Sequence, residues 1–431
     1  MTRSLLDRYA SEPAVASLGN VTVRTDIRSS LGPFQTLPGY VTVYPDVVVR
    51  ALMNLYDEYN HTFTSLVEAN REWNTDYRYC LGDSPVNWCV QIDMVGLPET
   101  FLEEVSSMPE GIVREILRKG IFEIENSIAM YQLLENLFPQ DGRDSFFKTR
   151  FRLFLDGIRR QFGRPIALLA VTRQKYDGML EAEFGKRMRG CLTEMEVGEL
   201  SGFDRFFDPY EFRSYLAANS GRCDYLLYVR ASDPINKLQY PSSLVEHPLL
   251  SDGETRRVIK ENAITFNIDN PGWSTGDFRR INDTKEYMPP MGMAFLIKEM
   301  ADLLSPEFET FLRAQGYAKP KAAMLRCKPA KGTYGCYGHA AGIMRDGSKA
   351  LARGLRQWGD YVVQPEMVMP VITNTDDGVI YTFIDRVFIG TVEGRVEFLG
   401  GVRNLMPADT EEARKGRIHG NSSAVYAEIV C

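Results

Sequence analysis

The chain has 431 residues, with 50 Lys and Arg against 57 Asp and Glu, 4 His and a formal net charge of −7. Apolar residues make up 44% and charged residues 25%, a balance that supports a buried core and excludes disordered, collagenous and membrane-embedded classes. The acidic excess argues against a dedicated nucleic-acid binder, because neutralising phosphates needs a basic surface. It leaves room for a local basic pocket that takes a nucleotide.

At about 150 residues per domain the length allows two to four domains, each with its own core. No run of about 18 apolar residues occurs, so no membrane span is expected. The start, Met1-Thr2-Arg3-Ser4-Leu5-Leu6-Asp7-Arg8, lacks the apolar run of a signal peptide. The seven cysteines are odd in number and scattered, with no CxxC pair, so a reducing, cytoplasmic setting is the expectation. Four histidines and no HExxH give zinc hydrolase chemistry no footing.

In chain order, Val21 to Ile27 and Tyr40 to Tyr44 alternate as strands, with Gly32-Pro33 and Pro38-Gly39 between them as turn signals. From Asp46, a candidate N-cap, Val48, Leu52, Leu55, Tyr56 and Tyr59 fall on one helix face. Trp88 to Met94 reads as a short strand. Residues 98–163 read as helical, with Ile112, Val113, Ile116, Leu117, Ile121 and Ile124 in one stripe that ends at Pro139-Gln140-Asp141-Gly142. A second helix follows around Phe151, Phe154, Leu155 and Ile158, with Arg150, Arg152, Arg159 and Arg160 on a solvated face.

The apolar runs Pro165 to Val171, Tyr225 to Val229 and Ala263 to Ile268 suit parallel strands covered on both faces, with helical stretches between them. Residues 284–316 read as helical again. Strands are expected at about 321–328, 360–364, 379–389 and 395–401, with a helix near 345–358. No repeat or low-complexity tract is present.

The segment from Leu325 to His339 carries the chemistry. A strand ends in Lys328-Pro329, and Gly332, Gly335 and Gly338 follow three residues apart. Glycines without a Cβ let backbone amides wrap an anion, and a strand lysine adds a compact positive charge. The Walker pattern GxxxxGK[ST] is absent. Taken alone, the loop also reads as a hairpin with ordinary turn glycines. Beyond it, Tyr361-Val362-Val363-Gln364-Pro365-Glu366-Met367 runs into a polar corner. The long strand Val379 to Gly390 then holds Asp385 and Arg386 at its centre, Val396-Glu397-Phe398 leads to Arg403, and Arg417 to Ser423 precedes the last strand.

The order of these segments resembles an ATP-grasp carboxylate–amine ligase over roughly residues 160–431. The resemblance matches Lys328 to the family's strand lysine, residues 331–338 to its glycine-rich flap and residues 364–367 to its linker. It matches Lys285, in Asn282-Asp283-Thr284-Lys285, to an earlier lysine. No Glu-x-Asn motif closes the chain. In that respect the element order is similar to glutathionylspermidine synthetase and eukaryotic glutathione synthetase, which carry the motif near the N-terminus. Val23 to Arg28 is similar to their Arg-x-Asp strand, but the next strand, near residues 41–46, holds no Glu-x-Asn. The match at Glu68-Ala69-Asn70 falls in strong helical spacing and is set aside as chance.

The resemblance implies an α/β (α+β) chain with an ATP-grasp fold. Residues 1–160 form a mixed, largely helical region that completes the site, 161–283 an α/β pre-grasp domain and 284–431 the nucleotide-binding domain. It implies ATP and Mg²⁺ as cofactors, with Lys285, Lys328, Gly332, Thr333, Tyr334, Gly335, Gln364, Glu366 and Met367 around the nucleotide. Arg386, Arg403 and Lys331 would be catalytic. Asp26, Asp385 and Glu397 would hold the metal, with Glu428 a further carboxylate near it. Arg24, Arg417, Asn421 and Ser422 would face a carboxylated substrate. Arg24 and Asp26 also suit simple pairing with each other. If residues 385–386 are extended, Asp385 and Arg386 point to opposite faces and only one can reach the site. The implied partners are small-molecule acids and amines, with a homodimer as the assembly expectation. Alternative readings keep the fold with a thiol, hydroxyl or carrier-protein acceptor, or keep only nucleotide binding.

Overall fold

The computed structural model describes residues 8–24, 34–69, 89–125, 138, 144–161, 167–171, 205–207, 214–215, 218, 225–229, 263–266, 295–314, 325–329, 342–343, 352, 355–356, 361–414, 418 and 424–431. The N-terminal part contributes strands β1 (Ala14–Ala16), β2 (Thr22–Arg24), β3 (Phe34–Val43), β4 (Cys89–Val95) and β5 (Ile121–Glu125). It also contributes helices α1 (Asp46–Ala69), α2 (Glu99–Val105), α3 (Glu110–Gly120) and α4 (Phe146–Gln161). Strands β6 (Ala167–Val171), β7 (Arg205–Phe207), β8 (Tyr225–Val229) and β9 (Ala263–Phe266) follow. Next come β10 (Phe295–Ile297), a 3₁₀ turn (Met300–Leu304), α5 (Pro306–Ala314), β11 (Leu325–Pro329), β12 (Gly342–Ile343) and β13 (Tyr361–Pro365). The chain closes with β14 (Val371–Asn374), β15 (Ile380–Val392), β16 (Arg395–Pro407), α6 (Glu411–Arg414) and β17 (Val425–Val430).

Among the described residues these strands form three sheets in a mixed α/β arrangement. The apolar runs at β6, β8 and β9 pair in parallel, in the order β7-β6-β8-β9, as continuous apolar composition suggests. A second sheet runs β10-β13-β11-β12. The largest has nine strands, and both ends of the chain build it: β1 pairs with β14, β3 with β17 and β4 with β15.

The long hairpin β15–β16 is the spine of that sheet. Its two-residue turn puts Glu393 at φ 51° and Gly394 at φ 72°, the paired positive values that match hairpin twist. Arg160 of α4 donates to Glu393 at 3.1 Å and ties the turn to the helix. On one face, α1, α2 and α3 bury Val48, Leu52, Leu55, Tyr56 and Tyr59 against Ile92, Val387 and Ile389. The helix face read from the sequence of α1 is thus the buried one. On the other face, Phe147 of α4 meets Phe388 edge-on at 5.1 Å.

Three expectations are corrected. Pro38-Gly39, expected as a turn, lies inside the continuous strand β3, which pairs with both β2 and β17. The helical stripe stops at Gly120, and Ile121 and Ile124 lie in β5, antiparallel to β4. Ile-Phe-Glu-Ile-Glu fits a strand as well as a helix turn, and the edge of β4 supplies backbone partners. Residues 295–297 are a strand rather than part of a helix over 284–316, because β13 offers Phe295 and Ile297 a ladder. Among the described residues no helix is long and apolar enough to cross a membrane.

The close pairing of β15 and β16 depends on Gly401, where a Cβ would stand 2.3 Å from the Arg386 carbonyl oxygen. Gly401→Ala is expected to lower stability by about 1–3 kcal/mol, read as a lower urea midpoint with an unchanged slope.

Candidate functional site

Charge inside the large sheet falls into two clusters on opposite faces, as alternation along β15 requires. On the α1 side, Asp385 stands opposite Arg403 across the hairpin, and both side chains are fully buried. Arg403 Nε donates to Asp385 Oδ1 at 2.8 Å and Nη2 to Oδ2 at 3.0 Å, a fork-to-fork pair. The remaining donors reach the Leu97 carbonyl at 2.5 Å, the Tyr40 hydroxyl at 2.9 Å and Glu99 at 3.3 Å. The guanidinium also lies 4.4 Å over the Phe383 ring. Asp385 accepts two further bonds, from the Tyr44 hydroxyl at 2.7 Å and the Leu97 amide at 2.9 Å. The Tyr40 hydroxyl donates to Glu99.

Burial alone would lower the Arg403 pKa, but Asp385 and the neighbouring oxygens outweigh it and hold the cation firmly charged. Burial and then the Asp385 charge push Tyr44 well up, so it stays a neutral donor. Burial, partly offset by Arg403, pushes Tyr40 to about 12.

On the α4 side, Arg386 Nη2 donates to Asp93 Oδ2 at 2.6 Å, and Gln91 Nε2 donates to Asp93 Oδ1 at 2.9 Å. Asp93 of β4 is opposite Arg386 in register. Burial raises the Tyr426 phenol to about 12 against the opposing pull of Arg386. Asn404 lies between Ile384 and Tyr426 in the ladder, fully buried, with neither amide atom hydrogen-bonded among the described residues. Glu428 receives the amides of Phe146 and Phe147 at the start of α4. A carboxylate at a helix N-terminus satisfies amides that have no partner within the helix.

The second sheet holds the nucleotide candidates. In register, Arg326 faces Gln364 and Lys328 faces Val362, so the strand lysine and the linker glutamine occupy diagonal positions on adjacent strands. β11 also pairs with β12, so residues 330–341 connect two neighbouring antiparallel strands. Glu366 and Met367, just past β13, are half-buried.

The expected catalytic Arg386 and Arg403 and metal ligand Asp385 are buried in ion pairs inside the large sheet. Their physical task in this structure is to neutralise charge between strands. Glu397 is half-buried on β16 opposite Gly390, and Arg24 ends β2 opposite Phe34. Asp26, Lys285, Lys331, Gly332, Thr333, Tyr334, Gly335, Arg417, Asn421 and Ser422 lie outside the described residues. Sequence reasoning missed Asp93, Gln91, Tyr40, Tyr44, Glu99, Asn404 and Tyr426. For Asp93 a signal existed: a carboxylate inside the apolar strand Cys89–Val95 demands a cation from a neighbouring strand.

No family model matches the chain, and no curated protein matches it. Among solved structures it is similar to a glutathione synthetase-like effector from Globodera pallida in its apo form, at 14% identity over 91% of this chain and 89% of that one, with a TM-score of 0.39.

Glu428 yields a test of this electrostatic picture. Burial raises its pKa above the ordinary glutamate value despite the helix amides, which lower it. The folded protein therefore holds more protons than the unfolded chain between the two values, and stability falls as pH rises through that window. Glu428→Gln should flatten that part of the stability–pH curve, measured by urea unfolding across the acidic range.

Proposed function

We propose that the chain is an ATP-dependent ligase of the ATP-grasp kind. It would activate a carboxylate as an acyl phosphate and join it to an amine on amino-acid-like substrates. The observation that carries this reading is the sheet β10-β13-β11-β12. It sets Lys328, at the end of a strand that leads into a glycine-spaced loop, diagonal to Gln364 at the start of the linker.

In this reading Lys328 and Lys285 neutralise phosphate oxygens, and Lys331 and the amides of Gly332, Thr333, Tyr334 and Gly335 close over the β- and γ-phosphates. Backbone groups at Gln364 and Met367 meet the adenine edge, and Glu366 meets the ribose. The substrate carboxylate oxygen attacks the γ-phosphorus and ADP leaves. The amine nitrogen then attacks the acyl carbon, expels phosphate and loses a proton. Positioning and charge neutralisation supply the rate in such a transfer, and loop closure keeps water from the acyl phosphate. Arg417, Asn421 and Ser422, with Arg24, bind the acid, since arginine forks suit carboxylates.

Mg²⁺ is the ion that ATP chemistry implies. The buried carboxylates of the large sheet do not fit a resident ion, because Asp385 and Asp93 are already bonded to arginines and Glu428 to helix amides. Mg²⁺ therefore enters this reading as part of the substrate MgATP, with Asp26 and Glu397 as the carboxylates proposed to approach it.

The engagement of Arg403 and Asp385 within the sheet favours a second reading, nucleotide binding without transfer. Calorimetry and an ADP-release assay over a panel of acids, amines, thiols and hydroxyl acceptors separate the two. Acceptor-dependent ADP supports the ligase, and ATP binding without turnover supports the second reading. Lys328→Ala should weaken ATP binding at least tenfold with an unchanged melting temperature. Unchanged affinity would remove the central assignment.

A further inference from the structure

We infer that the β15–β16 hairpin and its flanking strands carry their own cations, and that Asp93, Asp385 and Glu428 ligate no divalent metal. A carboxylate inside a sheet must be neutralised or it forces the strands apart. A metal ion and an arginine are two ways to do this, and each leaves a distinct pattern of bonds. A hard cation such as Mg²⁺ needs about six oxygens in near-octahedral array, and it usually takes one or two from carboxylates and the rest from water.

The pattern here is that of arginine. Asp385 receives four donors, from Arg403 Nε and Nη2, the Tyr44 hydroxyl and the Leu97 amide, with both its oxygens engaged. Asp93 receives Arg386 on one oxygen and Gln91 on the other. Glu428 receives the first amides of α4. Position reinforces chemistry. Asp385 shares its register position with Met94, and Asp93 shares its own with Arg386, so the two aspartates project from opposite faces of one sheet. They cannot close on a common ion. Among the described residues no group of three His, Cys, Asp or Glu side chains is placed to hold one.

This inference concerns the protein without nucleotide, so it stands or falls apart from the ligase reading. The probe is Mn²⁺, which reports its free concentration through its electron paramagnetic resonance signal. Titrated into the nucleotide-free full chain, Mn²⁺ should remain free up to equimolar addition. Stoichiometric uptake that Asp93→Asn, Asp385→Asn or Glu428→Gln abolishes would overturn the inference. Uptake that survives Asp93→Asn, Asp385→Asn and Glu428→Gln alike places the ion elsewhere and agrees with it. If those variants fail to fold, paramagnetic broadening in the amide spectrum of the wild-type protein decides. Broadening centred on Asp93, Asp385 or Glu428 overturns the inference, and its absence there supports it. A second readout follows from the arginines. Mg²⁺ should leave the wild-type melting temperature unchanged. Arg386→Met should lower that temperature, and Mg²⁺ should recover part of the loss by standing in for the missing cation. A wild-type protein stabilised by Mg²⁺ beside an unaffected Arg386→Met variant would contradict the inference.

Discussion

The fork between Arg403 and Asp385 is the constraint around which the large sheet is organised. Both groups are fully buried, so each would carry a heavy desolvation cost alone. Together they also draw in Tyr40 and Tyr44 from β3 and its end, and Leu97 and Glu99 from the segment after β4. One ion pair on a C-terminal hairpin therefore fixes two N-terminal segments. That is why the first and last parts of the chain share a sheet although the β6–β9 and β10–β13 sheets lie between them in sequence.

A second pair, Arg386–Asp93, repeats the logic on the other face and links β15 to β4. Neighbouring residues on one strand thus bind two different N-terminal partners in opposite directions. The hairpin is stitched to its neighbours by charge in its middle and by apolar packing toward its turn, where Phe388 and Ile389 meet α4 and the α1–α3 layer. Nucleotide chemistry, in the reading proposed here, belongs to the other antiparallel sheet, where Lys328 and Gln364 sit diagonally.

Much of this fold is legible from local pattern. Continuous apolar runs marked β6, β8 and β9, and the 3.6-residue spacing marked the buried face of α1. Alternation marked β2 and the C-terminal end of β3, whose start was hidden by the apparent turn at Pro38-Gly39, and an extended backbone correctly put Asp385 and Arg386 on opposite faces. The helix-to-strand change at Gly120 was not legible, because Ile121 and Ile124 satisfy both periods and only the edge of β4 decides between them. The roles of the central charges were not legible either. The carboxylate that meets Arg386 is 293 positions away, and the hydroxyl that meets Asp385 is 341 positions away. A charged pair at the middle of a strand reads as chemistry until its distant partners are known. A composition rule would have helped: each carboxylate in an apolar strand, Asp93 included, calls for a cation in the same sheet.

A double-mutant cycle on Arg403→Met and Asp385→Asn, followed by urea unfolding, tests the organising role of the fork most directly. Each single substitution should cost about 3–5 kcal/mol, because it leaves the other charge buried and uncompensated. The double variant should cost far less than the two losses added together. Strictly additive losses, or single variants as stable as the parent, would show that the sheet does not depend on this pair.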